Sequence, residues 1–172
     1  LSDYWLIKLD AQGSKEWEQT FGGSGSDNLL SVLQTADGGF LLCGESNSGV
    51  SGNKSSPNYG AFDIWLVRVG ATGGKVWDKS FGGSGMEGKG TELPPGVIIL
   101  PASDGGFILT GVSYSPANGN KTAPAQGFGD ADYWVVKIDA NVNKQCDQTA
   151  GGAASDMVTT LVRTSDGGYL VG

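Results

Sequence analysis

The chain has 172 residues and a formal charge of −7, with 30 glycines, 6 prolines and no histidine. Net acidity argues against a nucleic-acid partner, which needs a basic patch, and against adsorption to anionic lipid. The missing histidine removes the commonest general base and metal ligand, and no apolar run approaches the ~20 residues of a membrane span.

The first predicted strands cover residues 3–21. They are Asp3-Tyr4-Trp5-Leu6-Ile7-Lys8-Leu9-Asp10, a turn at Ala11-Gln12-Gly13-Ser14, and Lys15-Glu16-Trp17 through Phe21-Gly22-Gly23. Side chains alternate along a strand, so Trp5, Ile7 and Leu9 fall on one side and Tyr4 and Leu6 on the other. A strand apolar on both faces predicts burial between two sheets. Leu29 to Thr35 follows as a short apolar strand. Asp37-Gly38-Gly39 is a tight turn of the kind that accepts positive φ, and Phe40 to Gly44 returns. A long connection runs from Glu45 to Phe62.

Asp63-Ile64-Trp65-Leu66-Val67-Arg68-Val69 then repeats the opening phrase, and Lys75-Val76-Trp77 through Phe81-Gly82-Gly83 repeats its sequel. A connection including Met86 to Pro95 is longer than its counterparts at Gly25–Asn28 and Ala154–Met157. Asp104-Gly105-Gly106-Phe107 is the next hairpin turn, and the second long connection runs from Val112 to Ala131. The phrase returns a third time as Asp132-Tyr133-Trp134-Val135-Val136-Lys137-Ile138-Asp139. Lys144-Gln145-Cys146 through Ala150-Gly151-Gly152 and Asp166-Gly167-Gly168-Tyr169 close the chain.

The offsets between copies are 60 and 69 residues. Such a period belongs to architectures whose units bury their faces only by stacking on neighbours. Four antiparallel strands per unit, stacked in series, predict an all-β fold of β-propeller blades. The whole of 1–172 is one repeat domain. Two blades lie at about 27–83 and 85–152, and a split blade combines 156–172 with 1–23. Three blades are fewer than the four to eight that close a ring, so the chain reads as part of a larger ring, a longer chain, or an assembly of copies. Cys43 and Cys146 are too few for a disulfide framework and read as two buried thiols, Cys146 in the place of Trp17 and Trp77.

In a meander, the 1–2 and 3–4 turns share one end and the other connections share the opposite end. All the length variation therefore gathers on one face, where binding usually resides. Both long connections carry one phrase, Gly52-Asn53-Lys54-Ser55 and Gly119-Asn120-Lys121-Thr122. Asn53, Lys54, Ser55, Tyr59, Tyr114, Asn120, Lys121 and Thr122 are the candidate ligand contacts, able to hydrogen-bond and stack on a sugar. The competing reading is that the phrase folds its own loop. Both copies are also Asn-x-Ser/Thr sequons.

Asp3, Asp63 and Asp132 open each third strand and either ring a cation or tether loops. Asp130 and Asp132, with the carbonyls of residues 127–129, form a weaker calcium candidate. No catalytic residue, metal site or cofactor is assigned.

These phrases resemble the secreted β-propeller repeats abundant in Bacteroidetes-type bacteria, along nearly the whole chain. The third copy departs from the pattern at Cys146, Ala150 and Ala153. The resemblance implies export to the medium or cell surface, often within large multi-repeat proteins, and implies no catalytic activity. The expectation is a non-enzymatic, extracellular module that binds a glycan or protein or builds a surface assembly. The alternatives are a noncatalytic segment of a larger secreted hydrolase, or a structural spacer.

Overall fold

The computed structural model describes residues 1–88, 96–126 and 131–172. Every regular element among them is a strand, and every pairing between strands is antiparallel. β1 (Tyr4–Leu9) and β2 (Lys15–Phe21) form a pair. β3 (Asp27–Gln34), β4 (Phe40–Ser46), β5 (Asp63–Val69) and β6 (Lys75–Phe81) form a four-stranded sheet in that order. In the third sheet, β7 (Glu87–Gly88) and β8 (Ile98–Pro101) both pair with β9 (Phe107–Ser113). β10 (Asp132–Ile138) and β11 (Lys144–Ala150) follow, and β12 (Leu161–Arg163) pairs with β13 (Tyr169–Val171).

The predicted turns form for the predicted reason. Gly38, Gly105 and Gly167 sit at φ 81°, 81° and 88°, where a side chain is strained. Arg68 spans to the Asp37 carboxylate of one such turn, and Lys137 to that of Asp104. All three phrase strands carry a register shift at the same place, between Lys8 and Leu9, Arg68 and Val69, and Lys137 and Ile138.

Packing follows the two-sided pattern of these strands. Trp65, Val67 and Val69 are buried with Tyr4, Phe21 and Leu42, joining the second sheet to the first pair. The Tyr4 and Trp65 rings lie 4.7 Å apart, and Tyr4 Oη donates to the Trp65 carbonyl at 3.0 Å. Trp134, Val136 and Ile138 are buried with Leu41, Ile64, Leu66 and Phe81, joining the third sheet to the second. Removing ~200 Å² of indole from water contributes about 5 kcal/mol.

Three expectations are corrected. The split unit of 156–172 with 1–23 does not form: β1–β2 and β12–β13 are separate pairs, packed on β3 and β8 respectively, at opposite flanks of the stack. Trp5, unlike Trp65 and Trp134, is 64% exposed, because among the described residues no sheet lies on its side of β1. Cys146 is exposed while Cys43 is buried, and both are free thiols.

Candidate functional site

The repeated loop phrase is built into the joints between sheets. Asn53 Oδ1 accepts the Gly22 N–H at 2.9 Å, and its Nδ2 donates to the Thr20 carbonyl at 2.8 Å. Asn120 makes the same two bonds to Gly82 and Ser80, at 2.8 and 2.9 Å. Each asparagine thus latches its own loop to the end of the last strand of the preceding sheet.

The next residue turns inward. Lys54 is almost fully buried, and its ammonium donates to the Ser56 carbonyl, Ser56 Oγ and Ser80 Oγ at 3.1, 3.0 and 2.7 Å. It also lies 5.2 Å from the Trp65 ring centre, a cation–π distance. Lys121 is buried likewise and donates to the Ser115 and Ala123 carbonyls at 3.0 and 2.7 Å. Burial pushes both ammonium groups below the usual lysine range, opposed by nearby carboxylates that include Asp78 for Lys54 and Glu87 for Lys121.

The fourth residue of the phrase meets an aspartate on its own sheet. Asp78 on β6 accepts the Ser55 hydroxyl, the N–H groups of Ser55 and Ser56, the Trp65 indole N–H and the Lys75 ammonium. Asp147 on β11 accepts the Thr122 hydroxyl, the Thr122 and Ala123 N–H groups, the Trp134 indole and Lys144. Burial opposes ionisation of both carboxyls. Their donors outweigh it and hold each well below the usual carboxylate range.

Six of the eight expected ligand contacts are therefore engaged within the protein. Lys54 and Lys121 do not present their ammonium groups to solvent. Asn53, Asn120, Ser55 and Thr122 have their side-chain bonds made internally. Tyr114 is half-buried against the core of the third sheet. Tyr59 alone offers a ring to solvent, at 38% exposure. Sequence reading passed over Asp78 and Asp147, although a signal was present. Lys75 and Asp78, Lys144 and Asp147, and Lys15 and Glu18 are ion pairs at the same spacing in all three copies.

Of the acidic residues expected to ring a cation or tether loops, Asp63 and Asp132 do the second. Asp63 Oδ2 accepts the Tyr59 N–H at 2.6 Å, and Asp132 Oδ2 accepts that of Gln126 at 2.8 Å. Each meets a second acid from its own copy, Asp3 with Asp27, Asp63 with Glu87, and Asp132 with Asp156. A β-carbon on Gly22, Gly82 or Gly151 would collide with both members of the pair, which explains the glycine after Phe21 and Phe81. The second acid caps the following turn, through the N–H groups of Gly23, Gly83 and Gly152. Burial, with Glu87 beside it, pushes the Asp63 carboxyl up to about 7, against the pull of the Tyr59 N–H and Lys54. Among the described residues no group of three or more histidine, cysteine or acidic side chains gathers as a metal site. The calcium candidate at Asp130, and residues 89–95 of the long connection, lie outside the described residues.

What the loops leave open is a cleft of about 420 Å³ between the second and third sheets. Pro57, Tyr59, Lys79 and Phe81 line one side, and Asn120, Val142, Asn143 and Lys144 the other. Lys79 reaches across it to the Val142 carbonyl at 3.0 Å. Val142 is buried at φ 62°, in the turn position that Gly13 and Gly73 hold in the other copies. A β-branched residue there is an outlier. The third copy thus places an apolar side chain in the cleft wall where the others have none.

Comparison with protein-family models and with curated proteins returns no match to this chain. Among the described residues no helix is long and apolar enough to cross a membrane.

Proposed function

We propose that the chain is a run of β-propeller-type blades of the secreted bacterial repeat kind, working without catalysis as a binding module. Its ligand is a glycan seated in the cleft between the second and third sheets. The blade reading is supported by a four-stranded antiparallel meander that recurs along the chain and stacks face to face on its neighbours. The noncatalytic reading rests on the absence of histidine and on carboxylates occupied in turns and loops. Export and a surface location rest on the family resemblance.

The observation that carries the ligand reading is the cleft with Tyr59 on its wall. Its volume suits a small ligand. Tyr59 offers a flat apolar face and a hydroxyl, while Lys79 and Asn143 supply polar groups within reach of a sugar's hydroxyls. The test is a glycan array probed with the 172-residue chain, followed by titration of any hit against Tyr59→Ala. Binding weakened tenfold or more, with an unchanged melting temperature, supports the site. An array without a hit at high protein concentration sinks it. That outcome favours a second reading, a structural spacer, for which the Asn53 and Asn120 latches speak: the most conspicuous loop motif joins sheets.

A further inference from the structure

One kind of joint between sheets is used twice within the chain. Trp65, Val67 and Val69 on β5 are buried against the first pair, and Trp134, Val136 and Ile138 on β10 against the second sheet. Trp5, Ile7 and Leu9 hold the same positions on β1 and are exposed. β1 also lacks the second neighbour that β4 gives β5 and β9 gives β10.

The opposite flank carries the complementary deficit. β13 pairs with β12 alone, whereas β4, which follows the same Asp-Gly-Gly turn, pairs on both sides. Leu41 on β4 is buried against the third sheet. Its counterpart Leu170 is 61% exposed, and Val162 beside it on β12 is exposed too. Half of the ten exposed large apolar residues among those described are therefore these five, at positions whose counterparts in complete sheets are buried or partly buried in the core. Exposed apolar faces of this kind mark interfaces, and a free strand edge is a template for pairing.

We propose that these two flanks dock on each other between copies of the chain. β13 of one copy pairs antiparallel with β1 of the next, in the register that β4 takes on β5. A four-stranded sheet of β12, β13, β1 and β2 results. Trp5 then covers Tyr133 and Val135 of the neighbouring copy, both half-buried, as Trp65 covers Tyr4 and Leu6. Leu170 comes to stand opposite Lys8 and diagonal to Leu6, as Leu41 stands opposite Arg68 and diagonal to Leu66 in one core cluster. The contact joins unlike surfaces, so it either closes a ring of copies or grows a filament. It stands independently of the glycan reading.

Sedimentation velocity on the 172-residue chain, from micromolar to near-millimolar concentration, is the test. The mass is expected to rise in multiples of 17.7 kDa. Trp5→Glu and Leu170→Glu are each expected to sediment as a single chain with an unchanged circular dichroism spectrum. An equal mixture of the two is expected to form a pair, since each variant keeps the flank that the other has lost. Should Trp5→Glu fail to fold, Ile7→Glu on the same face replaces it. A wild-type chain that stays single throughout overturns the proposal. So does a mixture of variants that fails to pair, which would locate any association elsewhere.

Discussion

The Trp65 indole donates its N–H to Asp78 Oδ2 at 3.0 Å, and Trp134 does the same to Asp147 at 2.9 Å. One buried carboxylate thereby fixes the aromatic core, the loop that precedes it and the outer strand of its sheet. Asp78→Asn keeps the volume but removes the charge that Lys75, Ser55 and the backbone donors converge on. A loss of about 2–4 kcal/mol in urea unfolding is expected, the range for breaking a buried charged network. The sign with pH follows from the depressed folded-state pKa of this carboxyl. Its stabilisation is fully present above the unfolded value near ~4 and is lost as pH falls toward the folded one. Asp78→Asn should therefore flatten the acid side of a melting-temperature profile, and an unflattened profile would remove Asp78 from that role.

Asp63 acts in the opposite direction and in a different window. Its carboxyl is fully buried against Glu87 and raised to about 7, so between pH ~4 and ~7 the folded chain holds a proton that the unfolded chain has lost. The contribution to stability is largest at the acid end of that window and declines as pH rises through the folded value. Asp63→Asn still accepts the Tyr59 N–H and carries no charge. It is expected to raise the melting temperature at pH 8 by the equivalent of ~1–3 kcal/mol and to change little at pH 5. Equal effects at both values would mean that Asp63 does not titrate in this range.

Lys54 separates the structural role of the loop from a ligand role. Its ammonium is enclosed by Ser56, Ser80 and the face of Trp65. Lys54→Met retains the alkyl stem but leaves those acceptors unpaired, which should cost about 1–3 kcal/mol. A surface lysine would change stability by less than ~0.5 kcal/mol. A thermal melt within that margin would restore Lys54 to the solvent-facing set.

The sequence was most legible where one residue type answers one geometric demand. Gly38, Gly105 and Gly167 marked their turns because only glycine takes those φ values without strain. The near-continuous apolar run in β5 and β10 announced two-sided burial, since Trp65 and Trp134 have apolar neighbours on both faces. The same run in β1 gave the same expectation for Trp5, whose fate depends on a sheet that the strand itself does not encode. Lys54 and Asn53 were illegible for another reason. A polar loop residue is buried or wet according to the sheet beside it, and that sheet is distant in sequence. Asp78 lies 13 residues from Trp65 and 23 from Ser55, so its hub role emerges only when two strands and a loop converge.

The latch itself is open to a direct measurement. Asn53 is exposed as a residue, yet its amide holds both Gly22 and Thr20 of the preceding pair. Asn53→Ala removes two hydrogen bonds that no other side chain supplies, and a loss of about 1–2 kcal/mol is expected. Asn53→Asp keeps the acceptor for Gly22 and loses the donor to Thr20, so it should fall between alanine and the native residue. Asn120→Ala should behave likewise at the next joint. Because the two latches sit on different joints and share no partner, their effects should add within ~0.5 kcal/mol in the double variant. Hydrogen exchange gives the local signature. Asn53→Ala should speed exchange at the Gly22 amide and spare Gly82, whereas Asn120→Ala should do the reverse. Exchange that rises equally at both amides would show that the asparagines act through global stability and not as separate clasps between neighbouring sheets.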